Sequence, residues 1–428
     1  MSKNDDAMDA VKKAVEDYCN ANHDFSFDPE NPVVRLHEPT FGADEIMAGL
    51  ECMLTTHVTM GPKVRKFERE FADAHDMAHG VMVNSGSSAN LLALATLANP
   101  ETEDALQPGD EVIVPALSWS TTVWPIIQMG LIPVVVDIDP ATLNIDPNEV
   151  EKAIGPKTRA VMIVPVYGNP CDMNAIVDIC KRRNLMLIED CCEALGASYD
   201  GKSLGKFGRV GTFSFYYSHH ITTLEGGICI SDESRLAENM RILRAHGWIR
   251  EVEDQTPWMD RFPEINPRFL FVNVGYNLRA TEVQAAMGSV QLPKLDEFVK
   301  SRRQSTAWFR EQLGRYGEFM TFQDETPKGY NSCFGFSITL KPGTPFSVED
   351  IMAVLKQKNI ETRPIICGNI ARQPAMKLYT HRVSGDLAHA SNVMDNGFSF
   401  GNHQALDDKA RNYITNAIDG FMASNGIT

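Results

Sequence analysis

The stretch RAVMIVPVYGNPCDMNAIVDICKRRNLMLIEDC (residues 159–191) decides the fold. RAVMIVPVYG (159–168) is a β-branched, apolar run, and DMNAIVDICKRRN (172–184) is amphipathic at helical spacing. NLMLIEDC (184–191) is a second apolar run that ends on two carboxylates. Strand, helix and strand within little more than thirty residues is a βαβ unit, which sets the two strands parallel.

The same alternation continues on both sides. Upstream lie GVMVN (80–84) with the helical SSANLLALATLA (87–98), EVIVPAL (111–117) with a polar-aromatic loop, and IPVVVDID (132–139). Downstream lie VGTFSFYYS (210–218) and GGICISD (226–232). Apolar runs of this length suit strands covered on both faces, so an α/β domain with a mainly parallel, seven-stranded sheet is predicted. A long helical stretch opens near Arg279 and is punctuated at Pro293. CFGFSITLKP (333–342), SVEDIMAVLKQKN (347–359) and a helix near 406–424 then predict a smaller α+β domain. The expected division is 46–294 for the large domain and 295–428 for the small one, with residues 1–45 packing near the latter.

The 428 residues carry a net charge of −16, which argues against nucleic acid as a partner, because neutralising phosphates needs a basic face. The start lacks the apolar centre of a signal peptide, and no run of about 18 apolar residues occurs, so no membrane contact and a cytoplasmic location are expected. Nine cysteines without a CxxC pair suggest neither a disulfide framework nor zinc.

Polar residues gather just after the strands, where open α/β sheets bind ligands. Asn84-Ser85-Gly86-Ser87-Ser88-Ala89-Asn90 stands between a strand and a helix, as either a simple cap or an anion site made by free N–H groups. Asp190 closes a fully apolar strand and needs a partner, either a protonated ring nitrogen or an arginine. Trp119 could cover a flat ring or fill core. The pair His219-His220 is scaffold or catalyst, and a metal site there is disfavoured because consecutive side chains diverge.

The order SGSSAN, PALSW, LIEDCCEALGA, GTFSFYYSHHITTLEGG and GYNLRATEVQAA resembles the sugar aminotransferase and dehydratase family of fold-type I vitamin B6 enzymes, from about residue 35 to the C-terminus. The resemblance implies the aspartate-aminotransferase fold and pyridoxal or pyridoxamine 5′-phosphate. Gly86, Ser87, Ser88 and Ser214 would hold the phosphate. Trp119 would stack on the ring, Asp190 would pair with its nitrogen, and Glu193 would lie near its hydroxyl. Asn277 would reach the phosphate of a neighbouring subunit, which implies a homodimer with shared active sites.

In the aminotransferases of this family a lysine stands five residues after the phosphate-binding serine; here that position is His219, and no lysine occurs from Phe207 through Pro293. Lys202 and Lys206 are expected at the surface. Imidazole moves protons near neutral pH but cannot bond covalently to the cofactor aldehyde, so the cofactor would be held non-covalently. This departure resembles the family branch of 3-dehydratases acting on nucleotide-linked 4-keto-6-deoxysugars, and the branch points to GDP-4-keto-6-deoxymannose. Glutamate would supply the amine and ammonia would leave. Some of these dehydratases carry an iron–sulfur cluster on closely grouped cysteines; residues 230–274 contain none, so no cluster is expected. Arg363 is the expected substrate contact, with Arg244, His246, Arg250 and Asn369 as further candidates. An aminotransferase of the same family and a catalytically silent cofactor-binding regulator are the competing readings; retention of Ser88, Trp119, Asp190, Ser214 and Asn277 argues against the silent one.

Overall fold

The computed structural model describes residues 3–427. A large sheet contains β1 (His79–Val83), β2 (Glu111–Pro115), β3 (Ile132–Val136), β4 (Thr158–Ile163), β5 (Met186–Asp190), β6 (Val210–Ser214), β7 (Gly227–Ser231) and β8 (Arg382–Val383). Their order is β1-β7-β6-β5-β4-β2-β3-β8. Only β7 runs antiparallel to its neighbours. The strands are buried along nearly their whole length because helices cover both faces, which is why they read as continuous apolar runs rather than alternating ones. All seven expected strands form. The eighth, β8, escaped notice because it is two residues long; the Arg382 guanidinium anchors it to Glu111 at 2.7 Å and to the Ala153 carbonyl at 2.7 Å.

Local signals explain the element ends. The helix Met173–Arg183 starts where the Asp172 side chain accepts from the Ala175 N–H, and stops at Asn184 in the left-handed region (φ 53°), with Lys181, Arg182 and Arg183 in its last turn. The helical stretch beyond Thr281 breaks at Pro293 into Glu282–Gln291 and Leu295–Leu313, joined by one 3₁₀ turn.

Strands Met320–Phe322, Gly335–Leu340, Gly397–Gly401 and Thr362–Arg363 form a second, antiparallel sheet. Phe309, Phe336 and Phe400 centre its core, with ring centroids 5.0–5.2 Å apart. Val34 bridges to Ile360, and Phe27 packs against this same core. Ile365, Ile370, Met376, Leu387, Ala390 and Val393 join the core of the large sheet instead. The chain after residue 295 thus returns to the large sheet and carries side chains to the ends of its strands. Among the described residues, no helix is long and apolar enough to cross a membrane.

Candidate active site

A cavity of about 420 Å³ opens at the carboxyl ends of β5 and β6. Ser85 caps the helix Gly86–Leu97, and its side chain accepts from the Ser88 N–H at 3.1 Å. That leaves the N–H groups of Gly86 and Ser87 without an intrahelical partner at the helix's positive end, an arrangement suited to phosphate. Gly86 is required there: a Cβ would stand 2.4 Å from the Cβ and 2.8 Å from the Oγ of Ser214. Ser87 is exposed and donates to Thr121 Oγ1 at 3.0 Å. Ser88 does not line the cavity, because its hydroxyl donates to Asn84 Oδ1 at 2.6 Å and is spent inside the cap.

Asp190 lies at the cavity floor, 4% exposed. Its carboxylate accepts from Asn90 Nδ2 at 2.7 Å, Thr122 Oγ1 at 2.6 Å and the Cys192 N–H at 3.2 Å. Thr212 Oγ1 donates to Asn90 Oδ1 at 2.6 Å and so fixes that amide. No arginine or lysine pairs with Asp190 among the described residues. A buried carboxylate held only by neutral donors, with its remaining side on a cavity, is suited to a cationic ring nitrogen. Asn90 closes the strand-end cluster read from the sequence but was given no role there, and Thr122 was not read at all; Asn90 stands one helical turn past Gly86, and that spacing was the available signal.

Trp119 is 56% exposed and lines the cavity, so it is not core. Glu193 accepts from the Tyr167 N–H at 3.3 Å; burial pushes its carboxyl up to about 7, against the opposing pull of Arg363. Arg363 lines the same cavity, with its guanidinium 6.0 Å from the Tyr167 ring and 5.9 Å from the Phe334 ring.

His219 stands on the loop after β6. Burial, then the positive charges of Arg363 and Arg302, hold its imidazole down to about 3, neutral at physiological pH. No lysine lines the cavity. Lys202 lies over the Phe207 ring, and Lys206 donates to Asp76. Lys206, expected to be exposed, has only 14% of its side chain uncovered, since that ion pair folds it against the protein.

The remaining sequence candidates lie elsewhere. Asn277 is exposed, outside this chain's own cavity, and accepts from Arg279 Nε at 3.1 Å. Arg244 is buried in an ion pair with Glu68, Arg250 lies over the Trp248 ring, and Asn369 caps a 3₁₀ turn. His246 holds a left-handed turn at φ 67°. None of these four reaches the cavity. Pairing, ring stacking, capping and turn geometry account for these side chains without a ligand.

The imidazoles predict acid lability of the cofactor-free protein. Burial lowers His75 to about 4, His403 to about 3, and His37, His219 and His220 below their usual range. Unfolded histidine titrates near ~6.5, so unfolding takes up protons below that pH and stability falls as pH drops. Glu189 and Glu193, pushed up by burial, act in the opposite sense. The balance favours the histidines, and stability should fall by roughly 2–4 kcal/mol per pH unit between about 6.5 and 5. A melting temperature constant over that window would contradict this.

The chain matches the DegT/DnrJ/EryC1/StrS aminotransferase family over residues 39–419 and belongs to that family. It is 38% identical over 384 residues to a GDP-4-keto-6-deoxy-D-mannose 3-dehydratase of Yersinia pseudotuberculosis, covering 88% of this chain and 96% of that protein. The solved structure of Escherichia coli GDP-4-keto-6-deoxy-D-mannose-3-dehydratase with bound hydrated PLP superposes with a TM-score of 0.84 at 35% identity, over 90% of this chain and 98% of that one. A GDP-4-keto-6-deoxymannose-3-dehydratase holding a trapped PLP–glutamate geminal diamine gives 0.83 at 35% identity, over 90% and 99%.

Proposed function

We propose that this chain is a PLP- and PMP-dependent 3-dehydratase that removes the C3 hydroxyl of a nucleotide-linked 4-keto-6-deoxysugar, GDP-4-keto-6-deoxymannose first, in the cytoplasm. The observation that carries this reading is a cavity lined by Gly86, Ser87, Trp119, Asp190 and Ser214 that also holds a neutral imidazole and no amine. Glutamate serves as amine donor, a role suited to the glutamate adduct trapped in the solved relative, and ammonia leaves with the deoxygenated sugar.

The residues present fit the cofactor. The helix start at Gly86 and Ser87, with Ser214, takes the phosphate; Trp119 covers the ring; Asp190 takes the ring nitrogen; and Glu193 lies beside the ring's polar edge. When bound non-covalently, the cofactor supplies an electron sink. Asp190 keeps that sink protonated. His219 would hold or move one proton through the ring nitrogen that faces the cavity, and would deliver it to the departing C3 oxygen as water forms. Trp119 limits water at the ring face, and Arg363 offers a guanidinium to an anionic part of donor or substrate. Incubation with glutamate and a panel of nucleotide 4-ketosugars tests the reading: ammonia and a 3-deoxy product are expected, and an aminated sugar that keeps its C3 hydroxyl would assign the chain to the aminotransferases.

A homodimer is part of the proposal, because Asn277 lies outside its own cavity and follows the exposed Phe271 and Val274 by a few residues in the chain. If each site takes Asn277 from the other subunit, the single variants His219→Asn and Asn277→Ala should each be impaired. Mixed subunits should then recover up to about a quarter of full activity, since half the dimers carry one intact site. No recovery on mixing would place Asn277 outside the shared site.

A further inference from the structure

Resting on that reading, we propose that His220 is the positioning residue of the base. Bonded to the chain at Ser332 and packed on Phe334, it fixes the loop that presents His219 to the cavity.

A catalytic imidazole is ordinarily oriented by a group on its far nitrogen. His219 lacks one: its Nδ1 is closed off from solvent with no hydrogen-bond partner. Nε2 is therefore the nitrogen left to face the cavity. Its orientation comes from packing, with Phe334 at 5.2 Å and the edge of Tyr216 at 5.9 Å between ring centroids. Its backbone N–H donates to the Tyr216 carbonyl at 2.9 Å.

His220 is fully buried, and its Nε2 lies 3.1 Å from the Ser332 carbonyl oxygen. A carbonyl only accepts, so Nε2 carries the proton and the tautomer is fixed. Burial and the Arg302 charge keep the ring well below the usual histidine range, which leaves it neutral and unsuited to shuttling protons. Its ring stands 5.6 Å from Phe334, the same side chain that walls His219.

The receiving segment is itself rigid. The Ser332 N–H donates to the Gly168 carbonyl at 3.1 Å and the Phe334 N–H to the Tyr167 carbonyl at 2.9 Å. The Phe334 carbonyl accepts from Arg302 Nη1 at 3.1 Å. Cys333 between them sits at φ 55°, a left-handed conformation that this network holds in place. His220 thus ties a loop of the large sheet to an over-determined frame, and the base inherits its position.

Two substitutions of the full-length protein test this. His220→Leu fills the space but cannot reach Ser332, whereas His220→Gln places an amide N–H near the position of Nε2. With His220→Leu, the glutamate step and the sugar step should both slow by about 100-fold, as expected for a misplaced base, while KM and cofactor affinity hold. Hydrogen–deuterium exchange across residues 215–223 of the cofactor-free protein should quicken in His220→Leu. His220→Gln should recover most of both losses. If His220→Leu does not fold, His220→Asn, whose amide is too short for Ser332, takes its place against His220→Gln. Unsubstituted turnover in His220→Leu, or no recovery in His220→Gln, overturns the positioning role. His219→Asn is the control: if it still turns over, the reading of the site falls too, whereas an inactive His219→Asn beside an active His220→Leu removes only the positioning role.

Discussion

Substituting lysine for His219 is expected to make the protein bond its cofactor covalently and to slow water loss from the sugar by orders of magnitude. The cavity contains no amine of its own, so borohydride treatment of the unsubstituted protein should leave no cofactor attached after denaturation. A lysine at 219 would sit beside Arg363 in the surroundings that hold the imidazole down to about 3. The same burial and positive charge would depress an ammonium and leave a fraction of it as nucleophilic amine. Borohydride should then fix the cofactor to the variant. Dehydration should fall by about 10²–10⁴-fold, the usual contribution of a positioned acid–base group, and some amino transfer to the 4-ketosugar should emerge. Mass spectrometry of the denatured protein and product analysis read both effects. Cofactor fixed to the unsubstituted chain, or water loss undiminished in His219→Lys, would end the assignment of His219 as the base.

That prediction turns on a residue legible in the sequence, and what was legible divides along physical lines. The parallel sheet could be read because strands buried on both faces must be continuously apolar, as in LMLI before Asp190. The strand-end cluster could be read because turn glycines and capping serines carry short-range signals: Gly86 stands out in sequence, and the structure shows that even a methyl group would strike Ser214. Long-range partners could not. Nothing near Asp190 in sequence announces Asn90, 100 residues away, or Thr122, 68 residues away, and they meet it only once the sheet has formed. Ser88 looked like its neighbours Gly86 and Ser87, but one further step around the helix turned its hydroxyl back into the cap. β8 had too few residues for any periodicity, and its place follows from the ion pair between Arg382 and Glu111.

Asp190→Asn should leave the fold and the cavity in place and still remove most of the chemistry. The substitution is nearly isosteric, so packing at the end of β5 is preserved. The carboxylate's two strongest donors, Asn90 Nδ2 and Thr122 Oγ1, both point at Oδ2. An asparagine can satisfy them by turning its carbonyl oxygen toward that side, since Asn90 is already fixed by Thr212. Its amide group then replaces Oδ1, the atom that accepts from the Cys192 N–H, and that contact becomes donor against donor. One lost hydrogen bond costs about 1–3 kcal/mol, which a protein of this size tolerates. The larger loss is charge: a protonated ring nitrogen brought to this floor would have no anion, and removing one partner of a buried pair costs about 3–5 kcal/mol. The ring would stay neutral, the electron sink would weaken, and the glutamate step should slow by about 10²–10³-fold. Cofactor should still bind through the helix start, with an absorbance that marks the unprotonated ring. Stopped-flow absorbance during the glutamate step separates these outcomes. A glutamate step at the unsubstituted rate in Asp190→Asn would mean that the cofactor lies in another orientation, with its ring nitrogen away from β5.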